Sequence, residues 1–151
     1  MIYRIATPND ISTLVEIRKR QLIDEGIEPT IDIDKELFDF FHAKINDGSL
    51  VEWLVEDGAQ IIATAAIVFY QFPPTYTNKT GWKGYITNMY TADSYRKRGI
   101  ATHLLEKLVE EAKSRNVKKI WLGASTLGRP VYEKFGFKGT GEWLDLTIPP
   151  L

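Results

Sequence analysis

From Tyr85 to Leu122 the chain runs through strand, glycine turn, helix and strand, a succession that constrains the fold more than any other stretch. Tyr85-Ile86-Thr87-Asn88-Met89-Tyr90-Thr91 is rich in β-branched and aromatic residues, as a strand requires. Beyond Arg96-Lys97-Arg98-Gly99, residues Ile100, Ala101, Leu104, Leu105, Leu108, Val109 and Ala112 fall on one face of a helix ending near Arg115. Lys118 to Leu122 is strand-like again. Two strands joined through a helix predict a right-handed parallel crossover. The junction before the helix has chemical consequences too. A helix start leaves N–H groups unpaired at the positive end of its dipole, which makes an anion site. Small residues at Gly99 and Ala101 let a bulky diphosphate approach the main chain. Arg96, Lys97 and Arg98 add charge, so the stretch Arg96 to Thr102 reads as a pyrophosphate cradle.

The remaining sequence fills in around this unit. Ile2 to Ala6 reads as a first strand, and Asn9 or Asp10 as the cap of a helix from Ile11 to about Ile23. Gly26 and Pro29 interrupt it, and a second helix begins near Asp34, buries Leu37, Phe38, Phe41 and Ile45, and stops at Asp47-Gly48. Leu50 to Val55 and Gln60 to Tyr70 are strands joined through Asp57-Gly58, a hairpin signal. The Pro-, Thr- and Asn-rich insert Phe72 to Gly81 is too irregular for a ladder, and Trp82 to Thr91 resumes the strand. Arg129 to Phe135 reads as a short helix ended by Gly136, and Glu142 to Ile148 as a closing strand, with room for another around Phe137 to Thr140. Three successive strands without helices imply antiparallel hairpins. The expectation is one α/β domain over residues 1–151, with a mixed, mostly antiparallel sheet of six or seven strands and helices on both faces.

Composition excludes several alternatives. A net charge of −1 gives no global case for nucleic-acid or membrane binding. No apolar run approaches the roughly 18–20 residues that span a bilayer. Cysteine is absent, which removes disulfides, thiol nucleophiles and cysteine-ligated zinc, and two isolated histidines, His42 and His103, make no metal site. His103 falls on the helix face opposite Leu104 and Leu108, so it is expected to meet solvent. The N-terminus leads directly into strand-like sequence, and a cytoplasmic protein is expected.

Neither the three-glycine dinucleotide fingerprint nor the P-loop occurs. The spacing Arg96-x-x-Gly99-x-Ala101 instead resembles the [QR]-x-x-G-x-[GA] signature of the GNAT superfamily of N-acetyltransferases. Tyr132-Glu133-Lys134-Phe135-Gly136-Phe137 resembles the segment in which that family carries a tyrosine before its last strands. Both motifs stand in the family's order, with Ser125-Thr126 between them. The resemblance implies acetyl-CoA as co-substrate, no metal, and a splayed parallel strand pair that holds pantetheine along Met89, Tyr90 and Thr91. It places Arg96, Lys97, Arg98, Gly99, Ile100, Ala101, Thr102 and Ser125 beside the cofactor and makes Tyr132 the proton donor to the departing thiolate.

Acyl transfer also needs a neutral amine. A lysine-like amine with pKa about 10.4 is neutral in fewer than about one molecule in a thousand at pH 7, so a proton acceptor helps. Some family members carry a glutamate on the strand before the cradle. Here that strand has none, and a water relay through Asn88 or Thr87, or a carboxylate from elsewhere, has to serve. The acids Asp24, Glu25, Glu28, Asp32, Asp34, Glu36 and Asp39 suggest an acceptor cleft that favours a cationic small-molecule amine. Phe72, Tyr76 and Trp82 are candidates for its aromatic wall, or for a cover over the sheet edge. The expected assembly is a monomer or homodimer. Two other readings compete: an acyl-CoA-binding sensor without turnover, and a nucleic-acid-binding module using the basic run Arg96 to Arg98.

Overall fold

The computed structural model describes residues 1–150. The elements run β1 (Ile2–Ile5), α1 (Ile11–Asp24), α2 (Asp34–Asn46), β2 (Leu50–Asp57), β3 (Gln60–Gln71), β4 (Trp82–Thr91), α3 (Ile100–Ser114), β5 (Ile120–Leu122) and α4 (Arg129–Phe135). Short 3-10 turns at Pro8–Asp10 and Asp93–Tyr95 lead into α1 and out of β4. The sheet order is β1-β2-β3-β4-β5, antiparallel up to β4, with β5 parallel to β4. The hairpin at Asp57-Gly58 and the parallel pairing of β4 and β5 through α3 both occur as the sequence predicts.

Helices cover the two faces of this sheet differently. On one face, Ile100, Leu104, Leu105, Leu108 and Ala112 of α3 pack on Ala63, Ala65 and Ile67 of β3, and Tyr132 of α4 joins them. On the other, Ile11, Leu14 and Val15 of α1 and Phe41 of α2 pack on Leu50, Leu54 and Ala66. The run Ala63 to Ala66 explains why β3 takes helices on both sides: small side chains let both layers come close. Each buried leucine contributes roughly 1.5–3 kcal/mol.

The sheet has five strands rather than the six or seven expected. Phe137 to Thr140 and Glu142 to Ile148 are not strands. Alternation of Trp143, Leu144, Asp145 and Leu146 suggested a ladder, but a strand needs a partner for its N–H and C=O groups. β5 offers only three residues, and Leu144, Leu146 and Ile148 remain exposed. A side-chain contact holds this segment instead: the Trp143 ring stacks on Trp121 with centroids 5.2 Å apart.

Candidate active site

The sheet opens in the middle of β4. Pairing with β5 covers Gly84, Tyr85 and Ile86, so the β5-facing edge from Thr87 to Thr91 has no ladder partner among the described residues. On its other edge the register with β3 shifts between Thr64 and Ala66. Asn88 and Met89 there oppose the single residue Ala65, and Asn88 is held at φ +56° in the left-handed region that asparagine tolerates better than most residues. Two side chains hold this bulge. Thr64 Oγ1 donates to the Asn88 carbonyl at 2.8 Å, and Asn88 Nδ2 donates to Glu52 Oε1 at 3.0 Å. Met89, Tyr90 and Thr91 follow on the open edge.

That edge leads to the start of α3. Gly99 caps the helix at φ +81°, and His103 N–H makes the first helical bond, to the Gly99 carbonyl at 3.1 Å. The N–H groups of Ile100, Ala101 and Thr102 therefore project from the first turn without intrahelical partners. A Cβ placed on Gly99 meets nothing within 4 Å, so the space before the turn is open. A groove of about 490 Å³ adjoins it, lined by Gly99, Thr102, His103, Glu106 and, from α4, Val131, Lys134 and Phe135. The basic run behaves less uniformly than its sequence implies. Arg96 is a brace: its guanidinium pairs with Asp93 at 2.8 Å and Asp24 at 3.6 Å, and its Nε donates to the Thr91 carbonyl. Arg98 lies over the Tyr95 ring, 5.0 Å from its centroid.

Tyr132 is carried by α4, whose Val131, Lys134 and Phe135 line the same groove. Ser125 starts that helix rather than standing free: its Oγ accepts the Gly128 N–H at 3.1 Å, and its carbonyl accepts the Arg129 N–H. A Cβ at Gly128 would fall 2.8 Å from the Tyr132 ring, so only glycine lets the ring lie there undisturbed. Tyr132 is 8% exposed. Burial pushes its hydroxyl up to about 12, with smaller contributions from the charges of Glu25 and Tyr85. At neutral pH it is a proton donor.

Glu52, on β2, is absent from every sequence-based expectation. It is 2% exposed and shares its sheet face with Leu50 and Leu54, beneath α1. Burial pushes its carboxyl up to about 8, against smaller downward pulls from the Asn88 hydrogen bond and the charge of Arg18. One signal was available. Glu52 interrupts the apolar run Leu50-Val51-Glu52-Trp53-Leu54-Val55, where a charged residue in a strand covered on both faces requires an explanation.

The expected aromatic wall is regrouped. Phe72 and Trp82 are partly exposed, but Tyr76 sits fully exposed in a turn closed by bonds between Thr75 and Asn78. The observed cluster joins Phe72 to Tyr70, Tyr70 to Trp121, and Trp121 to Tyr85 and Trp143, with Lys83 Nζ 4.8 Å from the Phe72 centroid. The Tyr70 hydroxyl and Trp121 Nε1 are buried without a hydrogen-bond partner among the described residues. His103 lines the groove beside Gly99, whereas His42 lies elsewhere. His103 meets the Tyr3 ring edge-on at 4.5 Å with its side chain about half exposed, and His42 stacks on Phe38.

An α/β sheet that opens beside a glycine-capped helix start, with a buried tyrosine on the neighbouring short helix, suits acyl transfer from a diphosphate-bearing carrier. Residues 12–137 match the model of the Acetyltransferase (GNAT) family. The chain belongs to that family. It is 65% identical to a predicted acetyltransferase from Clostridium acetobutylicum whose crystal structure contains acetyl-CoA, over 97% of this chain and 95% of that one, with a TM-score of 0.95. A GCN5-related N-acetyltransferase from Ralstonia eutropha shares the fold at 23% identity and a TM-score of 0.85, covering 97% of each chain. So does glucosamine-6-phosphate N-acetyltransferase from Arabidopsis thaliana, at 18% identity and a TM-score of 0.72, over 99% of this chain and 100% of that one.

Proposed function

We propose that the protein transfers the acetyl group of acetyl-CoA to the primary amine of a small molecule by direct attack within a ternary complex. The observation that carries this reading is the opening of β4 from β5 after Ile86, which leads along free main-chain groups to the open space before Gly99. Bound acetyl-CoA supplies an acyl group activated as a thioester. The first-turn N–H groups of α3 suit its diphosphate, and the free edge from Met89 to Thr91 suits the amides of its pantetheine arm. A main-chain N–H on that edge suits the thioester carbonyl oxygen, where negative charge develops.

Tyr132 then serves as proton donor to the leaving sulfur. Between free groups the transfer from a hydroxyl at about 12 to a thiol-like acceptor near 8.5 is uphill by about 5 kcal/mol. The same apolar surroundings raise a thiolate's proton affinity as well, which narrows that gap. Glu25, whose charge is felt by Tyr132, suits a cationic amine arriving from the α1–α2 side. Phe72 and Trp82 remain candidates for acceptor contacts, whereas Tyr76 lies apart in its turn.

Calorimetry with acetyl-CoA, followed by thiol release in a panel of amino acids, polyamines, aminoglycosides and peptide amines, tests the proposal. Micromolar binding and amine-dependent thiol release are expected. Binding without release for any amine would favour the sensor reading.

A further inference from the structure

We propose that Glu52 is the group that takes the proton from the incoming ammonium, acting at the Asn88 bulge where the sheet opens. The inference rests on the transferase reading above and supplies the proton acceptor that β4 itself lacks. Its basis is geometric. Asn88 marks the point at which β4 leaves β5, and Glu52 Oε1 is one hydrogen bond from its side chain, at 3.0 Å. Asn88 occupies Oε1, and Oε2 has no hydrogen-bond partner among the described residues. A carboxyl used only to pin the bulge needs no second oxygen and no charge; a glutamine fills that role at lower desolvation cost.

The surroundings also suit proton transfer. Arg18 faces the carboxyl from α1, Thr64 from β3 and Asn88 from β4, whereas α2 turns the apolar Leu37, Phe41 and Ile45 inward. Arg18 is not locked onto Glu52; its Nη1 donates to Gln21 Oε1 at 3.0 Å, and Gln21 Nε2 donates to Glu25. Glu25 is exposed at the end of α1, so the bonds from Arg18 through Gln21 to Glu25 lead from the side of the buried carboxyl toward solvent. Burial helps as well. With its pKa near 8, Glu52 is a far better match to an alkylammonium than an exposed carboxylate near 4.5, by on the order of a thousandfold in the transfer equilibrium.

The ammonium gives one proton to the Glu52 carboxylate and becomes a neutral amine. Its nitrogen lone pair forms the C–N bond to the acetyl carbon as the C–S bond breaks and its electrons leave on sulfur. The second nitrogen proton passes to solvent as the amide forms, while Tyr132 gives its own proton to the sulfur and is reprotonated from solvent. Glu52 then releases its proton to solvent.

Glu52→Gln tests this, because glutamine keeps the shape and the oxygen that Asn88 needs. In the wild type, kcat/KM for the amine found by the acceptor screen should rise with pH through an inflection near 8. In the variant the inflection should vanish and kcat/KM should fall by roughly 10²–10⁴, with the acetyl-CoA dissociation constant unchanged by calorimetry. Carbon-13 NMR of glutamate-labelled protein provides an arm that needs no acceptor: one carboxyl should titrate near pH 8 and be missing from the variant. Retention of the wild-type inflection by the variant, whatever its rate, would overturn the inference and leave Glu52 as a structural pin. So would the absence of a glutamate titrating near 8. Failure of the wild type to acetylate any amine would instead overturn the transferase reading, and the inference with it.

Discussion

Tyr132 and Glu52 are both shifted upward by burial, yet the consequences are opposite. The tyrosine, at about 12, holds its proton more firmly than in water and is confined to donation. The carboxyl, at about 8, becomes a base of useful strength near neutral pH. Tyr132→Phe keeps the ring against Phe137 and removes only the hydroxyl. It should lower kcat by roughly 10²–10⁴ with near-normal acetyl-CoA affinity, as steady-state kinetics and calorimetry would show. Unchanged turnover would reduce the tyrosine to packing. Glu52 also leaves a mark on stability. Below the ordinary glutamate value of 4.5, folded and unfolded chains both carry the proton, and its contribution is complete. As pH rises from there to about 8 the unfolded chain ionises first, so stability falls, and above the folded value the loss is complete. At about 1.4 kcal/mol per pH unit the loss is on the order of a few kcal/mol. Urea titrations near pH 5 and pH 9 should show it in the wild type, while Glu52→Gln should lose less stability over the same interval.

At the scale of the elements, the β4–α3 junction carries the most chemistry, and Gly99 is its hinge. A side chain there meets a backbone at φ +81° and projects into open space. Gly99→Val should cost about 1–2 kcal/mol through the left-handed backbone and reduce acetyl-CoA affinity at least tenfold by filling the space before the first turn. Gly99→Ala separates the effects, since it carries the same strain with less bulk. Wild-type affinity in the valine variant would detach the diphosphate from this helix. The junction was legible in the sequence because its signals are local: a β-branched run, a glycine and a 3.6-residue apolar period in α3. Glu52 was not legible as a functional residue. A glutamate two places from Leu50 and Leu54 on a strand signals a buried face only once α1 is known to cover it. The bulge at Asn88 is a matter of register between β3 and β4, which no single strand encodes. The final strands were overestimated for the converse reason. Trp143 to Ile148 has strand composition, but a ladder also requires a partner edge, and β5 ends after three residues.

For the whole molecule, Glu52 and Tyr132, the proposed proton acceptor and donor, lie on opposite sides of the sheet that opens along β4. Glu52 and Glu25 come from the α1–α2 side, Tyr132 and the α3 start from the other, and Arg96 ties the two by pairing with Asp24. This changes what the acidic stretch predicts about the acceptor. Asp34 is engaged by Lys19 at 2.8 Å and Asp39 by Lys35, while Asp32 accepts the Asp34 N–H, so these acids chiefly organise the start of α2. Reversing them would test folding as much as recognition. Glu25 is exposed, and its charge reaches Tyr132. Glu25→Lys should therefore raise KM for a cationic acceptor several-fold and leave KM for acetyl-CoA nearly unchanged. The effect should shrink as salt approaches 1 M, where the screening length falls to about 3 Å. A neutral amine assayed in parallel should show little change. Equal losses for both acceptors would mean that the substitution disturbs the α1 terminus, where Gln21 holds Glu25, and an unaltered KM for the cation would remove Glu25 from substrate recognition.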